Sequence, residues 1–148
     1  EVLDLDAAAA RGTLQALRDK YPLAVTRDLE RARKWIRDWK RGTERAGLVA
    51  SSQGMRLKPL AIHVKEKIDP VHRFLGDPDD YRSSDFLEDA ATEFQVQGLE
   101  VDWACVSWDG DLRMSKSGWL YHDFHGGNWR KIHQTQRKKH LVNSYRVL

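Results

Sequence analysis

Between Asp28 and Trp39 the apolar residues Leu29, Ala32, Trp35, Ile36 and Trp39 recur at three- and four-residue spacing, the mark of one helical face. Asp28 ahead of the run suits an N-cap and Gly42 behind it suits a stop. Short apolar runs flank the helix at 21–26 (YPLAVT) and 47–50 (GLVA), and each reads as a buried strand. The second runs into a polar turn, Ser51-Ser52-Gln53-Gly54. Together these elements predict a strand-helix-strand unit with parallel strands.

Upstream, residues 1–20 carry an alanine run with Leu14 and Leu17 at helical spacing, which predicts a lead-in helical segment before a domain spanning 21–148. From 59 to 84 the Asp69-Pro70 and Asp77-Pro78 steps break any long helix, so this stretch reads as an irregular insertion with short elements. A strand is expected at 86–91. The run VDWACVSW at 101–108 is rich in β-branched and aromatic residues and predicts a central strand. Asp109-Gly110 and Ser117-Gly118 punctuate a hairpin within 112–124. At 132–148 a helix places Leu141, Tyr145 and Leu148 on one face and most of the nearby basic residues elsewhere. The pattern predicts an α/β domain with a mainly parallel sheet and an added hairpin.

Composition bounds this picture without naming a function. A chain of 148 residues, 41% hydrophobic, suits one globular domain, and its longest apolar runs fall far short of the roughly 20 residues of a membrane span. With no signal-peptide pattern either, a soluble, cytoplasmic protein is expected. Cys105 is the only cysteine, which excludes an internal disulfide and suggests a buried, unreactive thiol. The formal charge of +3, from 25 basic against 22 acidic residues, is too small an excess to establish nucleic-acid binding. Glu1 is not an initiator methionine, and Leu148 falls inside an apolar helical pattern, so a piece of a longer protein is expected.

There is no G-x-x-x-x-G-K-[ST] and no G-x-G-x-x-G, so no complete nucleotide site is encoded and ATP hydrolysis by this chain alone is not expected. His122, His125, His133 and His140 lack metal-ligand spacing and read as surface or structural histidines, so no metal site is expected. Asp109-Gly110-Asp111 lacks the later ligands of a calcium loop and reads as a turn. Glu88, Asp89, Glu93, Glu100, Asp102, Asp109 and Asp111 flank the expected strand, and acids there can hold a divalent ion for phosphodiester cleavage. A metal-dependent nuclease is therefore one alternative, weakened by the absence of a lysine at restriction-type spacing. The basic run Arg130–His140, with Trp129 beside it, suits phosphates and a stacked base, or equally a solvated helix face. A non-motor nucleic-acid-binding module is a second alternative. Trp35, Trp39, Trp103 and Trp108 read as core residues, whereas Trp119 and Trp129 stay open.

One segment resembles a known motif. Thr92-Glu93-Phe94-Gln95-Val96-Gln97-Gly98-Leu99-Glu100 looks like motif V of superfamily 1 helicases, T-x-H-x-x-[KQ]-G-L-E, with Phe94 where many members have His. The ending Asn143-Ser144-Tyr145-Arg146-Val147-Leu148 resembles the lead into motif VI and stops before its arginine finger. With YPLAVTRDLERARKWIR, GLVASSQGMRLKP and FLEDAATEFQVQGLEVDWACVSWDGDL, these segments are similar to the Schlafen group 3-like DNA/RNA helicase domain family of bacteria.

The resemblance implies a RecA-like, P-loop NTPase-type three-layer domain, the second of two in a helicase or translocase that uses ATP and Mg2+ and acts on DNA or RNA. It implies that Thr92 approaches a nucleic-acid phosphate, that Gln97 and Gly98 form a coupling turn where backbone passes closely, and that Glu100 accepts from the nucleotide ribose. Arg56, in the motif IV region, is implied as a group near the γ-phosphate. ATP contacts would thus fall on Arg56, Gln97, Gly98 and Glu100 and a nucleic-acid contact on Thr92, to which the basic run, read from its own charge and aromatic neighbour, adds Trp129, Arg130, Lys131, Arg137 and Lys138. The Walker lysine and the magnesium-binding acids would belong to the first RecA-like domain, a partner this sequence lacks.

Overall fold

The computed structural model describes residues 2–17, 20–64, 69–77, 79, 80, 82–98 and 100–148. Leu99 of the motif and Pro78 of the insertion lie outside the described residues.

A parallel sheet organises the first part of the chain. Its central strand is β1 (Ala46–Ala50), hydrogen-bonded on one side to β2 (Ala90–Ala91) and on the other to β3 (Trp103–Ser107). All of β1 is buried, as a strand covered on both faces must be. Alternation sends Ala46, Leu48 and Ala50 to one face, where they pack with Leu57, Ile62, Val64, Leu87 and Ile36. Val49 goes to the other, with Phe74 and Ala91.

Helix α1 (Ala7–Leu17) buries none of its residues, whereas α2 (Leu29–Trp39) covers the first face of the sheet. The Asp28 carboxylate accepts from Arg31 N at 3.1 Å, the expected cap. Arg33 and Arg37 donate to the carbonyls of Leu87 and Phe86, clamping α2 over the chain that leads into β2. The insertion holds a 3-10 turn (Met55–Leu60), the short α3 (Pro70–Leu75) capped by Asp69, and a second 3-10 turn (Ser84–Phe86).

An antiparallel meander follows: β4 (Leu112–Ser115), β5 (Gly118–His125) and β6 (Asn128–Lys131), in the order β4-β5-β6. Helix α4 (Thr135–Val147) lies on one of its faces, where Leu112, Ile132, Leu141 and Tyr145 form a separate core. Leu148 touches both this core and the second face of the parallel sheet.

Five sequence expectations change. Residues 21–26 form no strand, since Val25 is 93% exposed and Leu23 69%. Pro22 lacks an amide donor, and both edges of β1 are already taken. The strand expected at 86–91 shrinks to Ala90–Ala91, because Ser83 caps a 3-10 turn that Leu87 ends in the left-handed region at φ 58°. The strand near 101–108 flanks β1 instead of occupying the centre. The hairpin within 112–124 gains a third strand. Of the four tryptophans read as core, Trp35 and Trp103 pack on it with their ring centroids 5.6 Å apart, but Trp39 and Trp108 are 46% and 44% exposed.

Candidate functional site

Three parallel strands present their carboxyl ends to the same edge, the place where open α/β sheets gather ligand-binding loops. Here those ends carry Ser51-Ser52 after β1, Thr92-Glu93 after β2 and Trp108–Asp111 after β3. Glu93 is 4% exposed and its carboxylate accepts from Ser52 N at 2.8 Å, Ser52 Oγ at 2.6 Å and Ser144 Oγ of α4 at 2.7 Å. It locks the β1 turn, the β2 exit and α4 together. Thr92, equally buried, donates from its amide and its hydroxyl to Gln95 Oε1, at 2.8 and 3.1 Å. In this arrangement its hydroxyl braces the turn instead of facing outward.

The segment from Thr92 to Asp102 joins two clefts. At one end, Phe94, 73% exposed, and Gln97 line a cleft of about 390 Å3 with Gln53, Arg137, His140 and Asn143. At the other, Glu100 and Asp102 line a cleft of about 660 Å3 walled by Val49, Phe74, Val96 and Leu148. Between them the chain turns at Gly98, φ +79°. Close passage does not explain this glycine, because a Cβ there would meet nothing within 4 Å; the left-handed backbone does. The Glu100 side chain is exposed and accepts no hydrogen bond among the described residues, while Asp102 accepts from Arg45 N at 2.7 Å.

Arg56 follows the β1 turn and reaches β3's exit. Its Nε and Nη2 donate to Asp109 Oδ1 at 2.9 and 2.8 Å, and its guanidinium lies 5.8 Å from the Trp129 ring centroid. Asp111, fully buried, accepts at Oδ1 from the Tyr145 hydroxyl at 2.6 Å and from Leu112 N at 2.8 Å. Burial raises the Asp111 carboxyl above the ordinary range; the Tyr145 hydrogen bond opposes that and the nearby Asp109 adds to it. Burial and then Asp111 push the Tyr145 phenol upward as well. The acids of the nuclease alternative are thus held by donors or dispersed, and among the described residues no three His, Cys, Asp or Glu side chains group to hold a metal ion. Cys105 is half-buried, and burial pushes its thiol up.

The basic segment, contiguous in sequence, divides between two surfaces. The register pairs Asp123 with Arg130 and Phe124 with Trp129, so neighbours in β6 face opposite ways. On the α4 side Arg137 bonds Asp123 at 2.9 Å and Lys138 lies 5.6 Å over Tyr121. On the other side Trp129 stacks under Arg113 at 4.3 Å and meets the edges of Phe124 and His122. Lys131, paired with His122, shares that side.

Sequence reasoning did not foresee Ser52, Ser144, Tyr145 or Arg113 as site residues. Only the alternation of β4 could have offered Arg113; the other three depend on contacts across more than thirty residues of chain.

A family model described as Schlafen group 3, DNA/RNA helicase domain, matches residues 1–148. No curated protein and no solved structure matches the chain.

Proposed function

Because this chain belongs to the Schlafen group 3 DNA/RNA helicase domain family over its whole length, we propose that it is the second, RecA-like motor half of an ATP-dependent helicase or translocase. The observation that carries the reading is the Thr92–Asp102 segment, which puts Phe94 and Gln97 in one cleft and Glu100 in another. A single short loop with one foot in each cleft can transmit a change of occupancy between them, which is what coupling ATP turnover to movement on nucleic acid requires.

In this proposal the larger cleft faces ATP and the smaller one the nucleic-acid strand. Glu100 accepts a hydrogen bond from the ribose: an exposed carboxylate that meets no donor among the described residues, beside an apolar wall of Val49, Phe74 and Val96, suits a sugar hydroxyl next to a base. Gln97 and Gly98 make the turn between the clefts. Arg56, whose side chain is 48% exposed, contributes to the γ-phosphate only by exchanging its Asp109 partner. Thr92 contacts a backbone phosphate after its hydroxyl leaves Gln95. Magnesium and the Walker lysine come from a first RecA-like domain, so this chain alone is silent as an ATPase. Among the described residues no helix is long and apolar enough to cross a membrane, and we place the protein in the cytoplasm.

The test is ATPase activity, with and without single-stranded DNA or RNA, of a longer protein carrying both motor halves, of its Glu100→Ala variant, and of this chain. Stimulation by nucleic acid, impairment by the variant and silence of the lone half are expected. Turnover by the lone half, or an unimpaired variant, sinks the reading.

A further inference from the structure

We infer that the face of the β4-β5-β6 sheet turned away from α4 is a binding surface for single-stranded nucleic acid, centred on Trp129 and flanked by Arg113 and Lys131. This deepens the reading above, since the strand held here is the one the motor acts on, but the surface lies outside the Thr92–Asp102 segment and is tested separately.

The opposite face is already committed. Leu112, Tyr121 and Ile132 pack against α4 there, and Asp123 is ion-paired to Arg137. On the outward face the register brings together Arg113, His122, Phe124, Trp129 and Lys131, with no acid among them. Arg113 covers Trp129 at 4.3 Å, and Phe124 meets its edge at 5.0 Å. Arg56 approaches from the β1 turn at 5.8 Å.

Arg56 is answered by Asp109, and Arg113 Nε donates to the Gly110 carbonyl. Neither Arg113 nor Lys131 has a carboxylate partner among the described residues. Among the described residues Arg113 Nη2 and His122 Nδ1 are buried without hydrogen-bond partners. Burial, then Arg113 and Lys131, hold the His122 imidazole below its ordinary range, with Asp123 opposing. An occupant therefore brings negative charge. The aromatic centre asks for flat rings besides, and single-stranded nucleic acid supplies both at every nucleotide. A duplex hides its base faces, and an acidic peptide leaves the rings unused.

The experiment is fluorescence anisotropy of a labelled oligothymidylate titrated with this chain at several salt concentrations. Lys131→Gln is expected to weaken binding and to lower the slope of log affinity against log salt by about 0.7, one single-strand phosphate. Arg130, read from the sequence as a nucleic-acid contact, instead shares the α4 face with its register partner Asp123, so Arg130→Gln, which removes the same charge one residue away, is expected within about twofold of the parent. Trp129→Leu is expected to lose about fivefold or more, while Trp129→Phe keeps most of the affinity because a ring remains. Equal losses at Arg130 and Lys131 overturn the proposal, as does a folded chain that does not bind. Competition by poly-glutamate as strong as by the oligonucleotide also overturns it, in favour of an acidic protein segment. Binding that depends on Phe94 and not on Lys131 defeats this surface while leaving the motor reading intact; the reverse keeps the surface whatever becomes of the motor.

Discussion

The Tyr145 hydroxyl donates to Asp111 Oδ1 at 2.6 Å and accepts from the Asp109 amide at 3.1 Å, so one phenol of α4 closes the turn where the parallel sheet hands over to the meander. Trp108 stacks on the same ring at 4.1 Å. Removing the hydroxyl by Tyr145→Phe keeps the stacking but leaves a buried carboxylate oxygen and a buried amide short of a partner. A loss of about 1 to 3 kcal/mol is expected in urea unfolding near neutral pH, with the denaturant slope unchanged. A variant as stable as the parent would mean the bond stabilises nothing.

Asp111 itself has the opposite expectation. Its folded carboxyl sits above the ordinary 3.8, mainly through burial. A raised carboxyl favours folding fully below the unfolded value, and that contribution disappears as pH rises through the folded value. Asp111→Asn keeps an acceptor for Tyr145 and carries no charge. The variant is therefore expected to match the parent near pH 3.8 and to be more stable than it at neutral pH. Parallel stability curves across that range would show that Asp111 titrates normally.

Glu93 and Ser144 are 51 residues apart in sequence and 2.7 Å apart in space. Glu93→Ala leaves the Ser52 amide without its acceptor and should cost about 3 kcal/mol, whereas Ser144→Ala loses one hydrogen bond and about 1 kcal/mol. A double-mutant cycle is expected to give a coupling of about 0.5 kcal/mol or more, because the second substitution finds the bond already broken. Strict additivity would show that Glu93 does not tie α4 to the strand ends.

Local patterns told more than distant pairings. The spacing from Leu29 to Trp39 and the Asp28 cap specify α2 without reference to anything else, and GLVA marks β1 by its apolar run. YPLAVT offers the same local signal, yet forms no strand, because a strand depends on a free edge and both edges of β1 are filled by chain more than forty residues later. Likewise Trp129, Arg130 and Lys131 read as one basic patch in sequence. Only the register with β5 sends Arg130 one way and its neighbours the other, since a slip of one residue would exchange them. The Thr92–Glu100 segment was legible through its resemblance, but its reach into two clefts depends on where β2 ends, which no spacing within the motif reveals.

On the proposed motor reading, that reach permits a test of division of labour along one loop, in a longer protein that carries a first RecA-like domain as well. Glu100 is exposed, so Glu100→Ala should leave the melting temperature nearly unchanged. It should raise KM for ATP without altering oligonucleotide affinity. Phe94→Ala, at the other foot, should do the reverse. Gly98→Ala places a Cβ at φ +79°, a strain of about 1 to 2 kcal/mol that the turn can relieve only by shifting. Both ligands should still bind that variant, while stimulation of ATPase by nucleic acid falls, because the link between the two feet is what has changed. Nucleotide titrations and anisotropy on the three variants separate these outcomes. If Glu100→Ala and Phe94→Ala affected both ligands equally, the two clefts would be one site, and the loop would be a wall of it instead of a connection.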